Sequence, residues 1–361
     1  MRQTIRRLLV PGFVFQSIVI GGGYGTGAEI MEYFQRSGFV GGLLGIGVTL
    51  LLWSGLCAVT FTFAHVFRVY DYRSMMGRLL GRGFFFYELS YLAMLLMVLG
   101  AVAASAGACA RGLLGVPEWW GWGLLGVCVV LLVTKGTAAI EKALSLWSYV
   151  LYAVYALFAL CCLLRFGPVI AREFHAMELS GPWALRGAKY AFYNLGCVPL
   201  LLYTLRDCRS RREAAVSGLI AGAIGVLPAA LLLVVLVGVE GTLDAAVPVN
   251  VVFEALDVDV LYWSFEIVLF GTLIETGAGY SKALDDRICH SLTAAGRRVP
   301  PWLHTALSTA LMLAGIAVAQ LGLGNIIARG YGAMNWAFLL FYALPMVTRG
   351  LWLMRKEPSP S

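Results

Sequence analysis

Two acidic residues follow a glycine-rich stretch near the start of the chain, in the segment "SIVIGGGYGTGAEIMEYF". Five of the seven residues from Gly21 to Gly27 are glycine, and Glu29 and Glu32 come soon after them. Each glycine destabilises a helix by about 1 kcal/mol relative to alanine, so the stretch predicts an interrupted helix. In an apolar setting the freed backbone groups need partners, and a bound solute is one such partner.

A third acidic residue, Glu275, lies within the apolar segment "FEIVLFGTLIETGAGYSKALDD". A charge in the middle of a membrane costs at least about 2.5 kcal/mol, so this carboxyl group faces a partner or a cavity, or is protonated. Thr272 and Thr276 lie one turn apart on either side of it. The three side chains are predicted to serve ion coupling, through H⁺ or Na⁺. The alternative role of Glu275 is a structural ion pair or hydrogen bond.

The elements that position these residues are membrane-spanning helices. The chain has 361 residues, of which 60% are hydrophobic and 13% charged, against roughly 45–50% and 25% in a soluble domain. Apolar segments long enough to cross a bilayer recur along nearly the whole chain. We predict an all-α polytopic membrane protein, with a single transmembrane domain over residues 1–361. Its ten predicted spans are 11–35, 38–67, 84–114, 119–135, 138–166, 182–206, 212–239, 260–284, 301–325 and 330–354.

The basic residues predict the orientation of these spans in the membrane. Most of the 27 Lys and Arg residues fall near the two termini and in the loops 68–82, 206–212 and 282–298. By the positive-inside rule these loops and both termini are cytoplasmic. The loop 240–259 on the opposite side is acidic. We therefore expect a multi-pass protein of the cell's inner (cytoplasmic) membrane.

A second interruption is predicted in the sixth span, where "YNLGCVP" places glycine and proline close together. Proline removes a backbone donor and glycine loosens the helix. Tyr193, Asn194 and Gly196 are the candidate substrate contacts here, with capping of the unwound backbone as the alternative role of Asn194. Each interruption opens one half of the chain, at about 11–166 and 182–354. With five spans each, the halves enter the membrane in opposite directions.

This layout resembles the LeuT-type fold, in which inverted five-helix repeats begin with broken helices 1 and 6. Half-helix N-termini favour anionic groups such as a carboxylate, and freed carbonyl groups favour cations. The interruptions would therefore form the binding site for a small molecule. The candidate substrate-binding residues in the first interruption are Gly21, Gly22, Gly23, Tyr24, Gly25, Thr26, Gly27 and Glu29.

The motif "GGGYGTGAEIMEYF" is similar to the first-helix signature of the YkvI-like amino acid permease family, in the amino acid–polyamine–organocation superfamily. The resemblance rests on Tyr24, Thr26, Gly27 and Glu29 and implies amino acid transport. A looser likeness to sodium-coupled LeuT-type symporters implies that carbonyl groups near Gly21 and Tyr24 face a cation. The eighth span lacks the adjacent Ser/Thr pair of those symporters, which makes H⁺ at least as good a coupling ion as Na⁺.

Other classes of function find less support in the sequence. No HExxH, GxSxG or paired-histidine motif indicates an enzyme, and the cysteines and histidines show no metal-ligand spacing. No cofactor, resident metal or nucleic-acid partner is expected, since the basic residues are explained by orientation. A channel would need a continuous polar pore, whereas the polar groups here concentrate near two interruptions. A sensor with a transporter fold is the other alternative. The oligomeric state is not predicted.

Overall fold

The computed structural model describes residues 2–135, 137–245, 247–294 and 296–357, and within them all side chains except those of residues 2–4, 136–149, 290, 291 and 294. Throughout these residues the regular structure is helical. The helices are α1 Arg2–Val19, α2 Gly22–Gly25, α3 Ala28–Tyr33, α4 Phe39–Phe67, α5 Tyr72–Leu80, α6 Phe84–Leu114, α7 Glu118–Thr134, α8 Thr137–His175, α9 Trp183–Leu195, α10 Arg211–Val237, α11 Pro248–Leu256, α12 Asp259–Ala294, α13 Trp302–Ala319 and α14 Leu323–Lys356.

Seven helical segments of the described chain are long and apolar enough to cross a membrane, and α7 is a shorter apolar helix. The fold is thus the predicted all-α, multi-pass one. Helices occupy every one of the ten predicted spans. The first and sixth are absent from the seven because their α-helices are interrupted. The number of membrane crossings stays a prediction.

The helices pack in two groups. In the first group α4 and α10 lie side by side, α1 packs on α10, and α9 packs on α4. In the second group α6 packs against α7, α12 and α13. The short helix α2 contacts α6 and α12, and α3 contacts α9 and α10, so the first interruption lies where the two groups meet.

Small residues explain how closely α4 and α10 approach. A Cβ atom on Gly218 would lie 2.4 Å from the backbone of Ala58, and one on Gly222 would lie 2.3 Å from the backbone nitrogen of Ser54. Helices in a membrane gain little from hydrophobic burial against each other and rely on such close backbone contact. The first group is therefore held together by glycine contacts and van der Waals packing.

Ion pairs join residues that the sequence predicts on the same side of the membrane. Arg7 pairs with Glu213 at 3.0 Å, on the predicted cytoplasmic side. On the predicted external side, Arg111 pairs with Glu118 at 3.1 Å. The relative sidedness of these segments thus agrees with the charge pattern. Which side is cytoplasmic stays a prediction.

Both interruptions are shorter than the sequence suggested. We expected residues 21–27 to be non-helical, but Gly22–Gly25 form one helical turn, with irregular backbone only at 20–21 and 26–27. We expected 193–199 to be non-helical, but α9 continues to Leu195 and only 196–197 lack helical structure. A 3-10 helix, Val198–Leu205, follows. Glycine and proline loosen a helix without forbidding a turn on either side of them.

Several helices also extend beyond the predicted spans. The fifth span was expected to end at 166 and the eighth at 284, but α8 runs to His175 and α12 to Ala294. Hydropathy marks the apolar part of a helix, and these helices continue into polar sequence. The last helix, α14, contains three π-helical stretches, Ile326–Tyr331, Leu339–Ala343 and Met346–Gly350.

Candidate functional site

The first interruption is a single helical turn between two irregular dipeptides. The hydroxyl group of Thr26 donates to the carbonyl oxygens of Gly22 and Gly23, each at 3.1 Å, and so caps the end of the turn. Gly27 has φ of +82°, in the left-handed region that glycine adopts without strain. Gly27 thus allows the backbone to leave the turn and begin α3.

Glu29, in the first turn of α3, folds back over this turn. Its side chain is only 3% exposed, and one carboxylate oxygen accepts a hydrogen bond from the hydroxyl group of Tyr193 on α9. The other oxygen lies 2.5 Å from the position that a Cβ atom would take on Gly23. The two interruptions are thus linked by a carboxylate, and a side chain at position 23 would displace that carboxylate.

Aromatic rings surround the Tyr193 side of this link. Tyr193 stacks on Tyr331 of α14 with ring centroids 4.7 Å apart, and it contacts Tyr33 at 5.7 Å and Tyr190 at 5.6 Å. All four side chains are buried. We call Tyr33, Tyr190, Tyr193 and Tyr331 the aromatic cluster. With Glu29 it closes the structure on the predicted external side of α2.

The opposite side of α2 is open. A cavity of about 580 Å³ is lined by residues of α1, the 3-10 helix and α12, and by residues 70–72. Its mouth includes Asp71 and Arg206, in loops predicted to be cytoplasmic. Thr276 lines the cavity, and its Cγ2 atom lies 3.8 Å from the position of a Cβ atom on Gly21. The cavity therefore reaches from the predicted cytoplasmic side to the first interruption.

The three predicted ion-coupling side chains all line this cavity. The hydroxyl groups of Thr272 and Thr276 donate within α12, to the carbonyl oxygens of Val268 and Thr272, each at 2.9 Å. One carboxylate oxygen of Glu275 is buried and has no hydrogen-bond partner among the described residues. Glu275 is therefore placed to hold a proton or to face a cation, and the threonine oxygens keep lone pairs free.

The remaining predicted residues of the first interruption contact protein, not the cavity. Gly22 packs against the backbone of α6 at Ala101. The carbonyl oxygen of Gly25 accepts from Tyr155, at 3.4 Å. Tyr24 is fully buried, and its hydroxyl group has no partner in the described residues. Gly21 differs from these residues: a Cβ atom at position 21 would have only Thr276, at 3.8 Å, within 4 Å.

The second interruption contributes less directly. The amide nitrogen of Asn194 donates to the carbonyl oxygen of Tyr190 at 3.0 Å, within its own helix. The carbonyl oxygen of Gly196 accepts from the hydroxyl group of Tyr87 on α6, at 2.8 Å. A Cβ atom on Gly196 would lie 2.5 Å from the ring of Phe338. Of the three predicted residues here, Tyr193 is the one that contacts the first interruption.

Sequence reasoning missed several residues of this site. Tyr33 lies four residues after Glu29 and Tyr190 three residues before Tyr193, so helical spacing could have placed both near the predicted site. Tyr331 and Tyr155 come from helices distant in sequence, and no local pattern indicates them. The predicted residues form two sets on opposite sides of α2, one at Glu29 and Tyr193, the other at Gly21 and α12.

The fold and these interruptions together are those of the LeuT type. Over 96% of this chain and 79% of the other, the structure is similar to that of a manganese transporter of Eremococcus coleocola, with a TM-score of 0.61 and 15% identity. The structure is also similar to that of MhsT in complex with L-phenylalanine, over 92% of this chain and 88% of the other, with a TM-score of 0.60 and 15% identity. A Na⁺-coupled sialic acid symporter is similar over 96% of this chain and 87% of the other, with a TM-score of 0.53 and 10% identity. No family model and no curated protein matches the sequence.

Proposed function

We propose that this protein is a secondary active transporter of a small zwitterionic solute, an amino acid, that works by alternating access. One observation carries the proposal. The cavity reaches the first interruption from one side only, while Glu29 and the aromatic cluster close the other side. A channel would need both sides open at once, whereas a carrier opens them in turn.

The geometry describes one state of such a cycle, open towards the predicted cytoplasmic side. To open the other side, the hydrogen bond between Glu29 and Tyr193 and the stacking of Tyr193 on Tyr331 have to separate. To close the cavity, α1 and the 3-10 helix have to approach α12. At each interruption the regular α-helix gives way to irregular backbone, which lets each half-helix move relative to its other half.

An organic zwitterion fits the chemistry of the cavity better than a metal ion does. Among its lining residues Glu275 and Asp71 are the carboxylates, and none is His, Cys or Met. Asp71 lies at the mouth and caps α5 through the backbone nitrogen of Ser74. The similarity to YkvI-like permeases and to MhsT, solved with L-phenylalanine, also supports an amino acid. The backbone at the interruption offers both donors and acceptors, as a zwitterion requires.

We propose that Glu275 couples the transport to protons. Its unpartnered oxygen borders a cavity through which protons can be exchanged with one side. Burial away from water favours the neutral form of a carboxyl group, and a bound cation favours the ionised form. In the described residues that line the cavity, the one basic side chain, Arg206, lies near the mouth.

Uptake into proteoliposomes tests the proposal. The purified protein should concentrate a labelled amino acid when a pH gradient is imposed, and liposomes without protein should not. A requirement for Na⁺ with no response to pH would assign the coupling to Na⁺. A channel would let the solute equilibrate without ever concentrating it. Saturable binding with no uptake under any gradient would indicate a sensor and contradict the proposal.

A further inference from the structure

Three side chains of the kinds that bind transition metals come together where α12 meets α13. Asp285 and Cys289 lie one turn apart on α12, and His304 lies in the first turn of α13. Their ligand atoms all lie within 4.8 Å of one another. The carboxylate of Asp285 is fully buried, while Cys289 and His304 are partly exposed. The cluster is separate from the cavity and from the aromatic cluster.

The separations are near those that a tetrahedral ion requires. Nδ1 of His304 lies 2.8 and 2.9 Å from the two oxygens of Asp285, and Sγ of Cys289 lies 3.7 Å from Asp285 Oδ1 and 3.8 Å from that nitrogen. Around Zn²⁺, with bonds of about 2.0 to 2.3 Å, such ligand atoms are about 3.3 to 3.6 Å apart, so Nδ1 and the bound oxygen have to separate by about 0.5 Å. Small side-chain rotations would therefore bring the three atoms into place without moving either helix.

Lys282 supplies the positive charge that the cluster needs in the absence of an ion. Its ammonium group lies 3.1 Å from Asp285 and 2.7 Å from Asp286. A metal ion would displace it from Asp285, and Asp286 would keep it paired. The exchange leaves neither the buried carboxylate nor the lysine without an opposite charge, which lowers the usual cost of such a step, although one ion pair is still lost.

We propose that Asp285, Cys289 and His304 form a binding site for a divalent transition-metal ion, with Zn²⁺ as the best match and water as a fourth ligand. Sulfur, nitrogen and oxygen donors together favour Zn²⁺ over Mg²⁺ or Ca²⁺. On binding, the thiol of Cys289 loses its proton, and His304 binds through Nδ1 with its proton on Nε2. The ion would join the C-terminal part of α12 to the start of α13.

None of the three residues lines the cavity, so the site is independent of the transported solute. His304 is 15 residues from Cys289, and the short spacing of Asp285 and Cys289 resembles no metal motif. The sequence therefore led us to expect no metal site, and it is the packing of α13 on α12 that brings the third ligand to the other two.

Metal binding to the purified full-length protein, in detergent and with a non-thiol reductant, tests the proposal. With Co²⁺ as the probe, a thiolate-to-cobalt charge-transfer band should appear, and Zn²⁺ should abolish it at one ion per chain. Zn²⁺ should also raise the melting temperature. Cys289→Ser should lose the band, and His304→Gln should weaken Zn²⁺ binding at least tenfold. The matched controls, Cys208→Ser and His175→Gln, should behave like the wild type.

Three results would each overturn the proposal. The first is a wild-type protein with no cobalt band and no Zn²⁺-dependent change in melting temperature. The second is Zn²⁺ binding that is equal in the wild type, Cys289→Ser and His304→Gln, which would place the ion elsewhere. Lys282→Met gives an independent measurement, because it removes the competing ammonium group. It should bind Zn²⁺ several-fold more tightly than the wild type, and unchanged affinity would contradict the site.

Discussion

The two sides of the turn Gly22–Gly25 place a carboxylate in different environments. On the α3 side, Glu29 is buried and accepts a hydrogen bond from Tyr193, within an aromatic cluster that excludes water. On the α1 side, Glu275 borders a cavity of about 580 Å³ and has an oxygen with no partner in the described residues. The same kind of group is satisfied on one side and available on the other.

This difference indicates which side performs which task. A carboxylate that has its partner contributes to holding a conformation, because breaking the contact leaves a buried acceptor unsatisfied, at about 1–3 kcal/mol. A carboxylate that lacks one is free to bind a proton or cation. In the proposed cycle, Glu29 therefore acts in the closure and Glu275 in the coupling.

The largest expected effect comes from Glu275→Gln. Glutamine imitates the neutral acid but cannot release a proton, so uptake driven by a pH gradient should be lost, while exchange of labelled for unlabelled solute continues. Both can be measured in proteoliposomes. Glu32→Gln is the matched control, since Glu32 is paired with Arg36 at 2.7 Å outside the cavity. Full concentrative uptake by Glu275→Gln would leave Glu275 a structural residue.

Tyr193→Phe should weaken the closure on the predicted external side of α2. It removes the donor to Glu29 while keeping the ring that stacks on Tyr331. Loss of this hydrogen bond should destabilise the closed conformation by about 1–3 kcal/mol. Amide hydrogen exchange across α3 should therefore become about 5- to 150-fold faster. Tyr87→Phe is the control, because it removes a hydrogen bond to Gly196, in the second interruption, without touching Glu29. Equal exchange in α3 of both variants would show that the Glu29 contact does not hold this side closed.

Gly27→Ala should lower stability, since alanine is strained at a φ of +82° by about 1–2 kcal/mol. Its Cβ would also lie 3.0 Å from Leu236. The melting temperature of the purified protein should fall measurably. Gly47→Ala, on α4 with no atom within 4 Å of the new Cβ, should leave it nearly unchanged. An equal melting temperature for both variants would contradict the strain expected of alanine at this φ.

The smallest effect is expected from Gly21→Ala. The new methyl group would contact only Thr276, at 3.8 Å, and φ of −115° suits alanine, so stability should not change. The methyl group would, however, narrow the end of the cavity, and KM for uptake should rise a few-fold. An unchanged KM would mean that the solute does not reach Gly21.

Hydropathy and glycine content predicted the helical class and the positions of both interruptions, because each depends on local sequence. The length of the interruptions was less predictable. The turn Gly22–Gly25 forms because Thr26 caps it from within, and sequence alone does not separate a capped turn from an unwound segment. The C-terminal ends of α8 and α12 were not predicted because each helix continues past the end of its apolar segment.

Contacts between distant helices lay beyond prediction. Glu29 was identified as a candidate from its position after the glycines, but nothing in the sequence indicates that Tyr331 closes over its partner Tyr193. Asn194 was expected to contact substrate or to cap the backbone, and its amide donates within α9. Such outcomes depend on helix rotation, which is set by packing with neighbouring helices.

The π-helical stretch Ile326–Tyr331 of α14 has a consequence for aligning this chain with other proteins of the same fold. A π-helical turn holds about one residue more than an α-helical turn, and one residue corresponds to about 100° of rotation. A protein of this fold that lacks the stretch would be one residue shorter there. An alignment made without a gap at this place would then assign Tyr331 and its neighbours to the wrong face of the helix.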